Sequence, residues 1–288
     1  MTASDWPRAG DPRIKRFFTP PSVARASATL AAYLLAIPAL VVVAEVVGRT
    51  PVTLVIAVVL GTVFKGLNNI VHECSHHAFS SERAFNERVG AWLCVVLLSD
   101  YASYKKEHSS HHRFLGDYDR DLDFALRRGL GHDRPFTWRR LVAPVATLRF
   151  LWFYLPRPQL TRREHATGVL AWGATLAGLL AVGAVDAALA LALGYLVVLS
   201  LLRFVIDVVD HGGIYEARRA ELYKSRNFIV GNPVLRWLLF PRNDCYHLIH
   251  HLYPYLPVST FGAVHAILME DPDYRALPHA AMPRRAQR

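Results

Sequence analysis

Charged residues are scarce in this chain of 288: Asp, Glu, Lys and Arg together make up 19% of it, where ordinary soluble domains carry about 25%. A disordered chain needs high charge and low hydrophobicity, so that class is excluded. A water-soluble enzyme with an ordinary surface is disfavoured for the same reason. Cysteine is scarcer still. Cys74, Cys94 and Cys245 are an odd number with no framework spacing, which argues against a disulfide scaffold. Internal repeats and low-complexity tracts are lacking, and so are nucleic-acid-binding motifs. The net charge of +10 is therefore not read as a sign of DNA or RNA. No cleavable signal is expected, because residues 1–21 are polar and the first apolar stretch is too long for one.

Apolar sequence is what the chain has in abundance. Hydrophobic residues make up 52%, and the mean hydropathy is +0.19. Residues 28–47 and 51–71 form two stretches of spanning length. Pro38 and Glu45 interrupt the first, while Lys65, Asn68 and Asn69 mark the polar end of the second. Residues 168–206 form one run of 39, whose only charges are Asp186 and Arg203. A bilayer needs about 20 residues per helix, so this run predicts two helices with a turn at 183–186. Residues 89–99 are too few to span and predict a re-entrant or interfacial segment. The expected architecture is all-α and integral to a membrane, with about four spans in two hairpins. Residues 1–27 are expected to precede a membrane domain over 28–271, and 272–288 to form a loosely ordered tail.

The positive-inside rule orients these spans. Five Lys/Arg precede the first span, fifteen lie in 72–166, and ten follow His211. Arg49 alone falls in the expected outer loops, and Lys65 and Arg203 lie within spans. Both termini and the long middle segment are therefore expected on the cytoplasmic side. The excess positive charge then faces anionic headgroups.

Nine of the fourteen histidines fall in three short clusters: His72, His76 and His77; His108, His111 and His112; His247, His250 and His251. His211 stands just past the fourth expected span, four residues after Asp207. On the orientation above, all of them lie at the cytoplasmic face. The spacing i, i+3, i+4 puts side chains on one face of a helix, so each cluster is expected to present two or three imidazoles to one point. Neutral imidazole suits iron, zinc and copper. Eight to ten converging rings exceed what one tetrahedral ion uses and match two metals of higher coordination. His77 lies about 140° round the helix from His72, a position between ligand and supporting residue. The lone His132, His165, His265 and His279 are read as surface or packing residues. Asp117, Asp119, Asp121 and Asp123 follow the second cluster. One of these four is expected to hydrogen-bond a ligand imidazole from behind.

The three clusters resemble the boxes of the membrane fatty acid desaturase superfamily. HECSHHAFS at 72–80 is similar to the opening box of acyl-lipid desaturases. HSSHHRFLGDYDRDLDF at 108–124 resembles the second box, and NDCYHLIHHLYPYLP at 243–257 resembles the closing Y-H-x-x-H-H-x-x-P pattern. The resemblance covers roughly 50–260, with all three boxes in family order. It implies a four-helix membrane core with a cytoplasmic helical cap. It also implies a non-haem di-iron centre held by His72, His76, His108, His111, His112, His211, His247, His250 and His251, with His77 in doubt. O₂ is the implied co-substrate. Asp207 stands where some relatives hold a water-linked asparagine, which makes it a supporting residue. The implied reaction is O₂-dependent desaturation of a long-chain acyl lipid drawn from the bilayer. The same boxes also serve hydroxylases and ketolases of lipids or carotenoids. No His-Pro-Gly-Gly haem motif is present, so the electrons are expected from a separate ferredoxin or cytochrome b5 type donor and its reductase. A competing reading takes His72-Glu73-Cys74-Ser75-His76 as the H-E-x-x-H motif of a zinc metalloprotease, with Glu73 as general base. It leaves two boxes unexplained.

Overall fold

The computed structural model describes residues 11–117, 119–125, 137–156, 162–214 and 224–281. His132 and residues 282–288 lie outside the described residues. The fold is mostly helical. The Ser22 hydroxyl accepts from the Arg25 N–H and opens α1 (Val23–Val47). Gly48 closes that helix at φ 54°, a left-handed conformation that suits glycine. α2 (Thr50–Ser75) begins almost at once, with a proline in its first turn, where the missing N–H has no partner to lose. α3 (Arg83–Val96) and α4 (Tyr101–Phe114) follow, the latter capped by Asp100, which accepts from the Ser103 N–H at 2.7 Å. After α5 (Arg149–Tyr154), α6 (Arg163–Ala181) turns at Gly183 into α7 (Val185–His211). The last described part holds α8 (His247–Leu252), α9 (Phe261–Leu268) and α10 (Pro272–Arg275).

Among the described residues three helices, α1, α2 and α7, are long and apolar enough to cross a membrane. α6, the third span in chain order expected from the sequence, is 19 residues long but opens on Arg163, Glu164 and His165. α2 is the central helix: 72% of its apolar window is buried, against 6% for α1. α1 turns Leu35, Val42 and Val46 outward, and α6 exposes Leu170 and Leu180. Apolar surface this continuous marks a lipid-facing belt, and the protein is membrane-associated.

Close helix contacts set the frame. A Cβ on Gly61 of α2 would sit 2.3 Å from Val198 Cγ1, and one on Gly194 would sit 2.7 Å from Leu60 Cβ. Only glycine lets α2 and α7 approach so closely, at the point where α7 is π-helical (Leu193–Val198). Two of the charges that interrupt the apolar runs, Glu45 and Asp186, lie at helix ends. Glu45 accepts from the Ala187 N–H at 3.1 Å, and Thr53 donates to Asp186 at 2.6 Å. They tie one hairpin to the other.

The tail does not loosen at residue 272 as expected. β2 (His279–Ala281) pairs in parallel with β1 (Asn227–Ile229), and Tyr274 is fully buried among Val264, Leu268 and Tyr253. The Tyr274 ring supplies what the polar sequence around it does not show: one large apolar anchor. His265 Nδ1 lies 3.0 Å from its hydroxyl, and His279 Nε2 donates to its carbonyl at 2.9 Å. Both histidines are thus packing residues, and His165 is buried on α6.

Candidate metal centre

The histidines come from the ends of four helices. His72 is in the last turn of α2, and His76 is the residue at which that helix stops. α4 carries His108, His111 and His112, α7 ends on His211, and α8 carries His247, His250 and His251. The structure gathers nine of them into two groups. His72, His76, His108, His112 and His250 form one; His111, His211, His247 and His251 form the other.

This division corrects the expectation that each box serves one point. The i, i+4 pairs stay together: 72 with 76, 108 with 112, 247 with 251. The i+3 member of each later box crosses to the other group. Helix geometry explains it. Residues four apart are offset by about 40° and neighbours by about 100°, so His111 and His112 diverge although they are adjacent. α4 and α8 each straddle the seam between the two groups.

The donor set fits a pair of metal ions. In the first group Nε2 atoms lie 2.8 Å apart for His72–His250, 2.7 Å for His76–His108, 3.0 Å for His108–His112 and 2.8 Å for His112–His250. In the second they lie 3.1 Å apart for His111–His211, 2.9 Å for His211–His247 and 3.0 Å for His247–His251. Ligand nitrogens about 2.1 Å from a metal, at right angles, lie about 3.0 Å from one another. Lone pairs pointed together at that spacing repel unless something positive sits between them.

The outer nitrogens fix the rings. His111 Nδ1 donates to Asp121 Oδ2 at 2.9 Å, and His211 Nδ1 donates to the Lys224 carbonyl at 2.8 Å. His247 Nδ1 faces Asp210 Oδ2 at 3.3 Å. A carbonyl can only accept, so the His211 proton is on Nδ1 and its Nε2 lone pair points inward. Burial first, and neighbouring imidazoles second, push His76, His112, His247, His250 and His251 far below the usual histidine range. All five are neutral, the form that binds metal.

Several expectations are sharpened or corrected here. Asp121, fully buried, is the carboxylate of the acidic run that meets an imidazole. His77 joins neither group; the chain leaves α2 at φ 55° there, and its Nε2 lies 3.0 Å from Glu87 Oε1. Asp207 accepts from the Tyr154 hydroxyl and lines the cavity beside His211. The residue against His247 is Asp210, which sequence reasoning missed although it adjoins His211. The metalloprotease reading fails on Glu73. Its carboxylate is ion-paired to Arg242, with Oε2 accepting from the guanidinium at 2.8 Å, and it is unavailable as a base at the histidines. Glu73 closes a stripe with Lys65 and Asn69, spaced by four along α2. Lys65 meets Asp244 at 2.6 Å, and Asn69 donates to the Pro241 carbonyl at 2.7 Å. The stripe therefore docks residues 241–244, at the entry to the third box. Its spacing of four was the available signal.

Comparison with known proteins agrees with this geometry. The sequence profile of the Fatty acid desaturase family matches residues 49–282. Dihydrorhizobitoxine desaturase of Bradyrhizobium elkanii is 27% identical over 239 residues, 75% of this chain and 67% of its own length. The Delta(12)-fatty-acid desaturase of Arabidopsis thaliana is 41% identical over 68 residues, 24% of this chain and 18% of the relative. Oleoyl-12-hydroxylase of Ricinus communis is 41% identical over 64 residues, 22% of this chain and 16% of the relative. With a family match across most of its length, imidazoles in two metal-sized groups and helices fit for a membrane, this chain belongs to the fatty acid desaturase family and is an oxidoreductase.

Proposed function

We propose that the chain is an O₂-dependent di-iron desaturase, with one iron held by His72, His76, His108, His112 and His250 and the other by His111, His211, His247 and His251. The observation that carries this is the inward Nε2 spacing of 2.7–3.1 Å in two adjacent groups. When bound, an iron pair supplies the means to activate O₂ toward an unactivated C–H bond. The overall change removes two hydrogens from adjacent carbons and, with two electrons and two protons, turns O₂ into two waters. The protein's share is to keep nine rings neutral and aimed. Asp121, Asp210 and the Lys224 carbonyl hold three of them, and the helix ends bury the site from bulk water.

The remaining sequence expectations belong to the same proposal. α6 completes four spans, and both termini and the histidine groups face the cytoplasm. The lipid or acyl substrate enters from the bilayer, with the long-chain acyl lipid as the family's own expectation. A separate ferredoxin or cytochrome b5 type protein, with its reductase, delivers the electrons to the basic face. Hydroxylation is the second reading, favoured by the match to the Ricinus hydroxylase. The test is elemental analysis of the purified protein. About two irons per chain are expected; a single zinc and no iron overturns the proposal.

A further inference from the structure

The outward-facing apolar strip of α2 stops partway along the helix. Leu54, Val55 and Val58 are exposed, but every residue from Leu60 to Leu67 is buried. One element that covers α2 there is a short helix, Pro233–Leu239, which precedes the third box. It is seated on Thr62, one turn beyond Val58, whose hydroxyl donates to the Leu238 carbonyl at 2.9 Å. Thr62 lies about 18 Å along the axis from Thr50, where α2 begins. A hydrocarbon core is about 30 Å thick, so a helix seated on Thr62 is at membrane depth.

The faces of this short helix are reversed relative to a helix in water. Asn232 opens it, its side chain accepting from the Val234 and Leu235 N–H groups. At about 100° per residue, Val234, Leu235 and Trp237 share one face, with Arg236, Leu239 and Phe240 opposite. No residue of the helix is buried; Val234 is 63% exposed and Trp237 41%. Arg236 turns inward, to the buried Cys245 and Tyr246, and Leu239 and Phe240 pack into the core beneath. A helix at a water surface puts its charge outward and its apolar side chains inward. Here the charge is inside and the apolar side chains are outside. Tryptophan is moreover enriched where membrane meets water.

We propose that Val234, Leu235 and Trp237 form a membrane-contact surface, inserted among the acyl chains of the bilayer. The occupant of this face is lipid. It takes up the exposed strip of α2 where Val58 leaves off, and it presents no charge that a polar partner could pair with. The chain then climbs along α2 toward the histidines: Pro241 is held at Asn69 and Arg242 at Glu73. His72 lies ten residues beyond Thr62, about 15 Å along the axis. The lipid contact therefore sets the height of the third box above the acyl chains, from within the segment that leads into it.

Fluorescence quenching in the full-length protein, purified and reconstituted into phosphatidylcholine nanodiscs, tests this. Bimane is attached to the Trp237→Cys variant. Cys74, Cys94 and Cys245 are buried, and labelling of the unsubstituted chain gives the background. Leu35→Cys on α1 is the lipid reference: it is exposed, and it lies at a similar depth because the nearby Tyr33 packs on Gly66 of α2. Asp273→Cys, exposed on α10, is the water reference. Phosphatidylcholine brominated at mid-chain should remove as much of the Trp237→Cys signal as of the Leu35→Cys signal. Iodide in the buffer should remove far less of it than of the Asp273→Cys signal. Iodide quenching equal to that of Asp273→Cys overturns the proposal. Protection from both quenchers also overturns it, since a second copy or another protein then covers the face. If Trp237→Cys does not fold, Val234→Cys carries the label on the same face and is read against the same two references.

Discussion

The two imidazole groups are built differently. The group of four is braced from behind: Asp121, Asp210 and the Lys224 carbonyl meet three of its rings. His111, His211 and His247 are among its members, and the first two are almost wholly buried. The group of five draws on more rings, from three boxes at once, and its surroundings include ring packing against Tyr104 and Tyr255. His72, His76 and His112 are only partly buried. If the two groups hold iron as proposed, the group of four has no spare donor and would depend on its braces.

Removing a ligand from the braced group is the severest way to break this comparison. His111→Ala should abolish turnover and lower iron from about two to about one per chain, with helical circular dichroism unchanged. Full activity in that variant would contradict the assignment. Acid is the next largest perturbation. Burial holds His112, His247, His250 and His251 far below their ordinary range when folded. The unfolded, metal-free chain therefore takes up protons first, below about pH 6.5. The stability these rings contribute is present above that pH and is lost as pH falls. Thermal unfolding and iron retention followed from pH 8 to pH 5 should decline together; constancy across that range refutes the neutral-imidazole site.

Loosening a brace should do less than removing a ligand. Asp121→Asn keeps the shape but weakens the pull on His111 Nδ1, at a cost of about 10–100-fold in metal affinity. The loss should be confined to one iron of two, measurable by competition with a chelator; equal weakening of both sites would mean the braces are shared. The smallest effect is expected far from both groups. His279→Ala removes the hydrogen bond to the Tyr274 carbonyl and should cost about 1 kcal/mol of stability. Turnover should be unchanged, and a large loss of activity would tie the tail to the chemistry.

Much of the site was legible because metal chemistry restricts residue type. Three tight histidine clusters and His211 stand out in any reading of the chain, and spacings of four keep their pairs together. Asp121 was one of four flagged carboxylates, but nothing local separates it from Asp117, Asp119 or Asp123. Burial chose it, through the way the chain after α4 folds back on His111. Asp207 was singled out by the resemblance alone, and only the placement of α8 shows that Asp210 is the carboxylate that meets His247. Glu73 looked like a base within a five-residue motif, yet Arg242, 169 residues away, claims it.

By itself the sequence determined the helical, membrane-associated class, since runs of apolar residues near 20 have few other uses, and it determined which imidazoles are available. It also determined that the i, i+4 pairs act together, because that follows from the helix repeat alone. The tertiary structure decided how nine rings divide into two groups, since that depends on how α4 and α8 sit across the seam. It decided the ordering of residues 272–281, through one buried tyrosine. It also decided which side chains line the cavity against the histidines, because a cavity's lining is assembled from residues far apart in the chain and no local pattern records which side chains will share a wall.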